Sequence, residues 1–173
     1  MRAKSWNETE LGGYLVYDVS HNIAKMEKHN IDGNEKLLCV HRKGATRSFP
    51  GGHSGLPAKY TQFGQPVFIP GDMGRYSYVL VGNKRSMEET FGTCCHGAGR
   101  LMSRRKALKQ GNASELIRQL NARGIEIMAS GKRTIVEEMP EAYKLVEDVC
   151  DVVHNAGIAT KVAKLRPIGV IKG

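Results

Sequence analysis

The chain has 173 residues, 40% hydrophobic, 25% charged and 6% aromatic, which is enough for a proper hydrophobic core and excludes an intrinsically disordered chain. Lys and Arg number 26 against 17 Asp and Glu, a formal net charge of +9 that favours a polyanionic partner, nucleic acid above all, although many cytosolic proteins are basic for no specific reason. No apolar run approaches the ~20 residues of a membrane span, and the polar start lacks the apolar core of a secretion signal, so the expectation is a cytoplasmic protein with no membrane partner.

Taken in chain order, residues 14–19, YLVYDV, read as a buried strand. SHNIAKMEKHN follows, where Ser20 or Asn22 can cap a helical turn before the turn signal Asp32-Gly33. EKLLCVHRK reads as a strand, which makes NIDGNE a hairpin connection. SFPGGHSGLP is loop, with Phe49 pinning it to the body. QPVFIPG and RYSYVLVG are two strands, the second with Tyr76, Tyr78 and Leu80 on one face and Ser77, Val79 and Val81 on the other.

RLMSRRKALKQ reads as a helix that stops at Gly111, and ASELIRQLNARG as a clearer one, capped by Ser114 and closed by Gly124. IEIMAS is a strand. MPEAYKLVEDVCDVVHNAG reads as the best helix of the chain, with Pro140 in its first turn and Tyr143, Val146, Val149 and Val153 on its buried face. LRPIGVIKG closes in an extended run. Strands gather in the first half and helices in the second, without repeats or linkers. The fold class expected is α+β, a mixed sheet with packed helices in a single domain over residues 1–173.

The stretch with most chemistry is FGTCCHGAGRLMSRRK, residues 91–106. Gly97 and Gly99 remove side chains beside His96, so a phosphate can approach the backbone. A helix beginning near Arg100 would add free N–H groups, and Arg100, Arg104 and Arg105 charge-assisted hydrogen bonds. The string matches neither GxxxxGK[ST] nor GxGxxG. It reads equally as a tight turn before a helix with a solvated basic face, and Cys95 competes with His96 as nucleophile. Cys39, Cys94, Cys95 and Cys150 include no CxxC and read as reduced thiols. HRKGATR gathers His41, Arg42, Lys43 and Arg47 as a groove for a nucleic-acid backbone or as a charged edge strand.

In this order, YDVSHNIAK, HRKGATRSFPGGH, GQPVFIPGDMGRYSYVL, FGTCCHGAGRLMSRRKA, EEMPEAYK and LRPIGVIKG resemble the C-terminal portion of the RtcB family of tRNA-splicing RNA ligases, over nearly the whole chain. The resemblance implies a GTP- and manganese-dependent ligase. It would join RNA ending in a 3′-phosphate or 2′,3′-cyclic phosphate to RNA with a 5′-hydroxyl, as in tRNA halves. His96 would attack GTP and carry GMP as a phosphoramidate before GMP passes to the RNA 3′-phosphate. His21 is implied as a manganese ligand and, with Asn22, as a neighbour of the guanylate. Pro70, Gly71, Asp72, Met73 and Ser77 match positions that hold the nucleotide, as do Gly97, Ala98 and Gly99 beside His96. Tyr143 and Lys172 match guanine contacts. Lys43, Arg47, Arg104 and Arg105 are implied as contacts to RNA phosphate.

The chain departs from the family pattern in three ways. Asp72 stands where serine or threonine is usual, and Cys94 replaces a threonine two residues before His96. None of the motifs of the family's N-terminal portion, which carries the remaining manganese ligands, appears in these 173 residues. The expectation is a ligase portion that is inactive without an N-terminal complementing chain. The alternative is a non-catalytic RNA- or nucleotide-binding remnant.

Overall fold

In the computed structural model, which describes Gly12 and residues 14–173, the chain first turns back on itself at Asp32 and Gly33. The polar start lies almost wholly outside the described residues. Both turn residues have positive φ, 52° and 81°, as a two-residue hairpin turn matched to right-handed strand twist requires. They join β1 (Asn22–Ile31) to β2 (Asn34–Lys43) in a long antiparallel ladder closed by Ile31↔Asn34. The helical turn expected from SHNIAK is therefore a strand. Burial there alternates with period two, and ten cross-strand pairs outweigh a local capping preference.

The inward face of this ribbon is fixed to the body by Arg42, which a buried ion pair across the two strands holds in place. Arg42 donates both terminal nitrogens to the Glu27 carboxylate at 2.8 Å, and donates further to Thr93 Oγ1 and the Phe91 carbonyl, each at 2.9 Å. The strand expected over residues 14–19 does not form. Among the described residues that segment is not assigned as strand; Lys59 and Tyr60 donate to the Val16 carbonyl, and Tyr14, Leu15 and Val16 are exposed. Phe49 is buried and anchors the Gly/Pro loop as its sequence suggests.

β3 (Ala45–Arg47) pairs antiparallel with β6 (Thr93–Cys95). β4 (Pro66–Ile69), β5 (Ser77–Gly82) and β8 (Ala159–Leu165) form a three-stranded antiparallel sheet, and β7 (Glu126–Ala129) pairs parallel with β9 (Gly169–Lys172). The expected mixed sheet is thus divided among several small sheets within an α+β fold. Between them run α1 (Lys84–Glu89), α2 (Arg104–Gln110), α3 (Ala113–Ala122), α4 (Lys132–Glu137) and α5 (Val146–Asn155). Among the described residues no helix is long and apolar enough to cross a membrane.

Three helix expectations are corrected. Helix α2 starts at Arg104, where Ser103 Oγ accepts from the Lys106 N–H, and not near Arg100. Residues 100–103 instead run beside residues 142–143, through the Arg100↔Tyr143 bridge and a 2.8 Å bond from the Leu101 N–H to the Ala142 carbonyl. Helix α3 is capped by Asn112, whose Oδ1 accepts from the Glu115 N–H, rather than by Ser114. The long helix from Met139 is broken: Pro140–Ala142 form one 3-10 turn, Tyr143 is extended, and α5 begins at Val146.

Two cores result. In one, Val67, Ile69, Tyr78 and Leu80 of the three-stranded sheet pack on Val146 and Cys150 of α5, with Cys94 and Ala98 at its end. In the other, Met73, Leu116, Leu120, Ile125, Ile135 and Met139 join α3 and α4 to the loop after β4. The candidate site lies where loops from both cores meet.

Candidate functional site

β6 delivers His96 and the start of β3 receives it. The His96 N–H donates to the Gly44 carbonyl at 3.1 Å, the Gly44 N–H donates to Asn22 Oδ1 at 3.1 Å, and the Ala45 N–H donates to the His21 carbonyl at 3.2 Å. These bonds bring the base of the ribbon against the HGAG loop. The His21 and His96 rings stack with centroids 4.9 Å apart and planes 20° from parallel, and Phe68 meets His96 edge-on at 6.4 Å. Burial, then the neighbouring His21, lowers the His96 pKa below the usual imidazole value of 6.5, against an opposing hydrogen bond to the Phe68 backbone. The ring is therefore held neutral. Its Nδ1 is buried without a hydrogen-bond partner.

The loop after His96 needs its glycines for backbone reasons. Gly97 and Gly99 have φ of 153° and 77°, conformations that side-chain-bearing residues rarely adopt. Between them Ala98 is buried and its N–H donates to the Pro70 carbonyl at 3.0 Å; the Gly99 carbonyl accepts from the Lys144 N–H at 3.0 Å. The loop is thereby tied on one side to residues 70–73 and on the other to Tyr143 and Lys144.

Beside it is a cavity of about 260 Å³ lined by Pro70, Gly71, Asp72, Met73, Ser77, Glu138, Tyr143, Pro167, Gly169, Val170 and Lys172. Seven of the residues expected at a nucleotide lie in this one wall: Pro70, Gly71, Asp72, Met73, Ser77, Tyr143 and Lys172. His21, Asn22 and the His96–Gly99 loop lie outside it. The Asp72 side chain is buried and its carboxylate is engaged: Oδ1 accepts from the Gly74 and Arg75 N–H groups at 2.9 and 3.0 Å, and Oδ2 pairs with Arg75. This carboxylate shapes the turn, which explains why a negative charge is tolerated beside a prospective phosphate. Ser77 Oγ likewise accepts from the Gly71 N–H at 3.3 Å.

Sequence reasoning missed Glu138 and gave Arg100 only a phosphate-binding role. Arg100 Nη1 donates to the Tyr143 hydroxyl at 2.9 Å and to Glu138 Oε1 at 3.3 Å, its guanidinium lies 4.8 Å from the Tyr143 ring centroid, and the Tyr143 hydroxyl donates to Glu138 Oε2. Burial, then the Glu138 carboxylate, pushes the Tyr143 phenol up to about 12. Burial raises the Glu138 pKa, but the Tyr143 hydrogen bond with Lys172, Arg100 and Arg104 outweighs it and holds the group below 4.5. The signal available in the sequence was the acidic pair ahead of Pro140 in EEMPEAYK.

The four residues expected at RNA phosphate are dispersed. Lys43 and Arg105 are exposed with no carboxylate in ion-pair range among the described residues. Arg47 stacks over the Phe49 ring at 5.2 Å, and Arg104 is matched to Glu138 at 3.4 Å. Cys95 is half-buried beside Cys94, whose hydrogen bond pushes the Cys95 thiol down against the effect of burial. His21 offers one exposed imidazole. Among the described residues no three His, Cys, Asp or Glu side chains converge to hold a metal, so the donors present do not by themselves fit a manganese site.

A family model described as tRNA-splicing ligase RtcB matches residues 2–173. The chain is 54% identical over 167 residues to a tRNA-splicing ligase RtcB of Archaeoglobus fulgidus, covering 96% of this chain and 35% of the relative. It is 55% identical over 159 residues to that of Thermococcus kodakarensis, covering 92% of the chain and 33% of the relative. The chain spans about a third of the length of these two relatives.

Proposed function

The chain belongs to the RtcB family, and we propose that it is the nucleophile-bearing portion of an RNA ligase that uses GTP to join RNA 3′-phosphate or 2′,3′-cyclic phosphate ends to 5′-hydroxyl ends. His96 is the nucleophile. Because its Nδ1 is buried, Nε2 is the nitrogen that attacks the α-phosphorus of GTP; the N–P bond forms, pyrophosphate leaves, and the nucleotide stays on the ring. Neutrality of the imidazole, favoured by burial and by His21, keeps the attacking lone pair available.

The base end of the nucleotide occupies the cavity of about 260 Å³, just below the roughly 300–1,000 Å³ of a whole small-molecule site. Tyr143 and Lys172 meet the guanine, while Pro70–Met73 and Ser77 hold the ribose side. Gly97–Gly99 let the phosphates approach the backbone, and Asn22 fixes Gly44 beneath His96. Lys43, Arg47, Arg104 and Arg105 receive RNA phosphate. Manganese, when bound, would neutralise the leaving pyrophosphate. His21 is one donor to it, and the other donors belong to a complementing N-terminal portion.

What carries this reading is the stacked His21–His96 pair beside a cavity that gathers seven separately expected nucleotide contacts. The test is incubation with labelled GTP and manganese, with and without an N-terminal portion from a relative. The expected result is an acid-labile guanylate adduct in the complemented wild-type chain and none in His96→Ala. RNA or GTP binding without any adduct would support the non-catalytic binding module instead.

A further inference from the structure

The outward face of the β1–β2 ribbon carries three soft donor atoms that the ligase reading does not use. Directly opposed residues of paired strands share a face, so Met26↔Cys39 and Ala24↔His41 set Met26, Cys39 and His41 together, with only the Ala24 methyl beside the imidazole. All are exposed, Met26 by 59%. Cys39 Sγ lies 3.3 Å from His41 Nε2. With metal–sulfur and metal–imidazole bonds of ~2.3 and ~2.0 Å, that separation subtends an angle of about 100° at a shared ion. The two side chains are already spaced as neighbouring ligands.

We propose that this face binds a soft monovalent d10 cation of the copper(I) class through Cys39 Sγ, His41 Nε2 and the Met26 thioether. The donor set selects the ion, since thiolate and thioether favour copper(I) whereas hard cations take oxygen. The carboxylate on this face, Glu35, is held by Lys28 at 2.8 Å. Among the described residues no third His, Cys, Asp or Glu joins the pair, so zinc finds only half of the four ligands it prefers. On binding, the Cys39 S–H bond breaks, its proton leaves to solvent, a sulfur–metal bond forms, and nothing is oxidised or reduced. His41 coordinates through Nε2 with its proton on Nδ1.

The test uses silver(I), a redox-inert ion of the same class, with the wild-type chain and Cys39→Ser, Met26→Leu and His41→Asn, all changes at exposed positions. Calorimetry gives stoichiometry and affinity, and NMR shifts locate the ion. Cys94 and Cys150 are buried and Cys95 half-buried, so the hairpin ion is read as the difference between wild type and Cys39→Ser. The expected result is one silver ion fewer in Cys39→Ser, shifts at Met26, Cys39 and His41 in wild type, and weaker binding in Met26→Leu and His41→Asn. Unchanged stoichiometry in Cys39→Ser overturns the site. Equal affinity in Met26→Leu, or zinc(II) bound as tightly as silver(I), overturns the soft three-donor assignment.

Discussion

The imidazoles of His21 and His96, far apart in the chain, stack face to face with centroids 4.9 Å apart. The contact exists because Asn22, next to His21, accepts from the Gly44 N–H, and Gly44 in turn accepts from the His96 N–H. Asn22→Ala removes the first bond and leaves the second. The expected cost is about 1 kcal/mol, with displacement of the His96 amide resonance. An unmoved resonance would show that Asn22 does not position the loop.

The buried Arg42–Glu27 pair joins β1 to β2 and aims Arg42 at Thr93 and Phe91 of the body. Side-chain exposure is 0% for Arg42 and 12% for Glu27, so Glu27→Gln strands a buried charge, and urea unfolding is expected to show a loss of about 3–5 kcal/mol. Burial raises the Glu27 pKa, but hydrogen bonding and attraction from Arg42 outweigh it, so the folded value lies below 4.5. A depressed carboxylate pKa stabilises fully above 4.5 and loses that contribution as pH falls through the folded value. Glu27→Gln is therefore expected to lose less thermal stability than wild type as pH falls below 4.5, the remaining slope coming from other depressed carboxylates such as Glu138. Parallel acid limbs would contradict the pairing.

Two glycines of the site separate backbone strain from crowding. A Cβ on Gly99 meets nothing within 4 Å, and φ is +77°, so Gly99→Ala costs only the left-handed conformation, about 1–2 kcal/mol. A Cβ on Gly71 falls 2.0 Å from the Tyr76 carbonyl oxygen and 3.0 Å from Val146, so Gly71→Ala forces the loop off α5. Chemical denaturation is expected to rank Gly71→Ala as the more damaging. Equal losses would mean that the loop moves freely over α5.

Tyr143 is expected to ionise near 12 because burial and then Glu138 disfavour the phenolate. The tyrosinate absorbance lost on Tyr143→Phe should rise near pH 12, and in Glu138→Gln the corresponding transition should move down. A lost signal titrating with ordinary tyrosines, near 10, would show that the Arg100–Glu138–Tyr143 contacts do not persist in solution.

Much of this was legible in the chain. Asp32-Gly33 announced the hairpin because Asp-Gly suits a two-residue turn with positive φ at both residues, which matches the twist of the flanking strands. The alternation in RYSYVLVG matched the buried Tyr78 and Leu80 of β5. The failures share a cause: local preference yielded to tertiary pairing. SHNIAK offers a cap but gains a full ladder as β1. Residues 100–103 offer a helix start but pair with residues 142–143, which also breaks the long helix expected from Met139. YLVYDV has strand composition but is not assigned as strand among the described residues. The residues lining the cavity of about 260 Å³ were legible as motifs, whereas Glu138 was not, because its place depends on Arg100 and Tyr143 meeting across a bridge that neither local sequence encodes.

The most direct measurement is phosphorus-31 NMR with peptide mapping of the chain, complemented by a relative's N-terminal portion, after exposure to GTP and manganese. One phosphorus–nitrogen resonance mapping to His96 is expected, retained in Cys95→Ser and lost in His96→Ala. A guanylate that maps to Cys95, or that survives His96→Ala, would contradict that assignment.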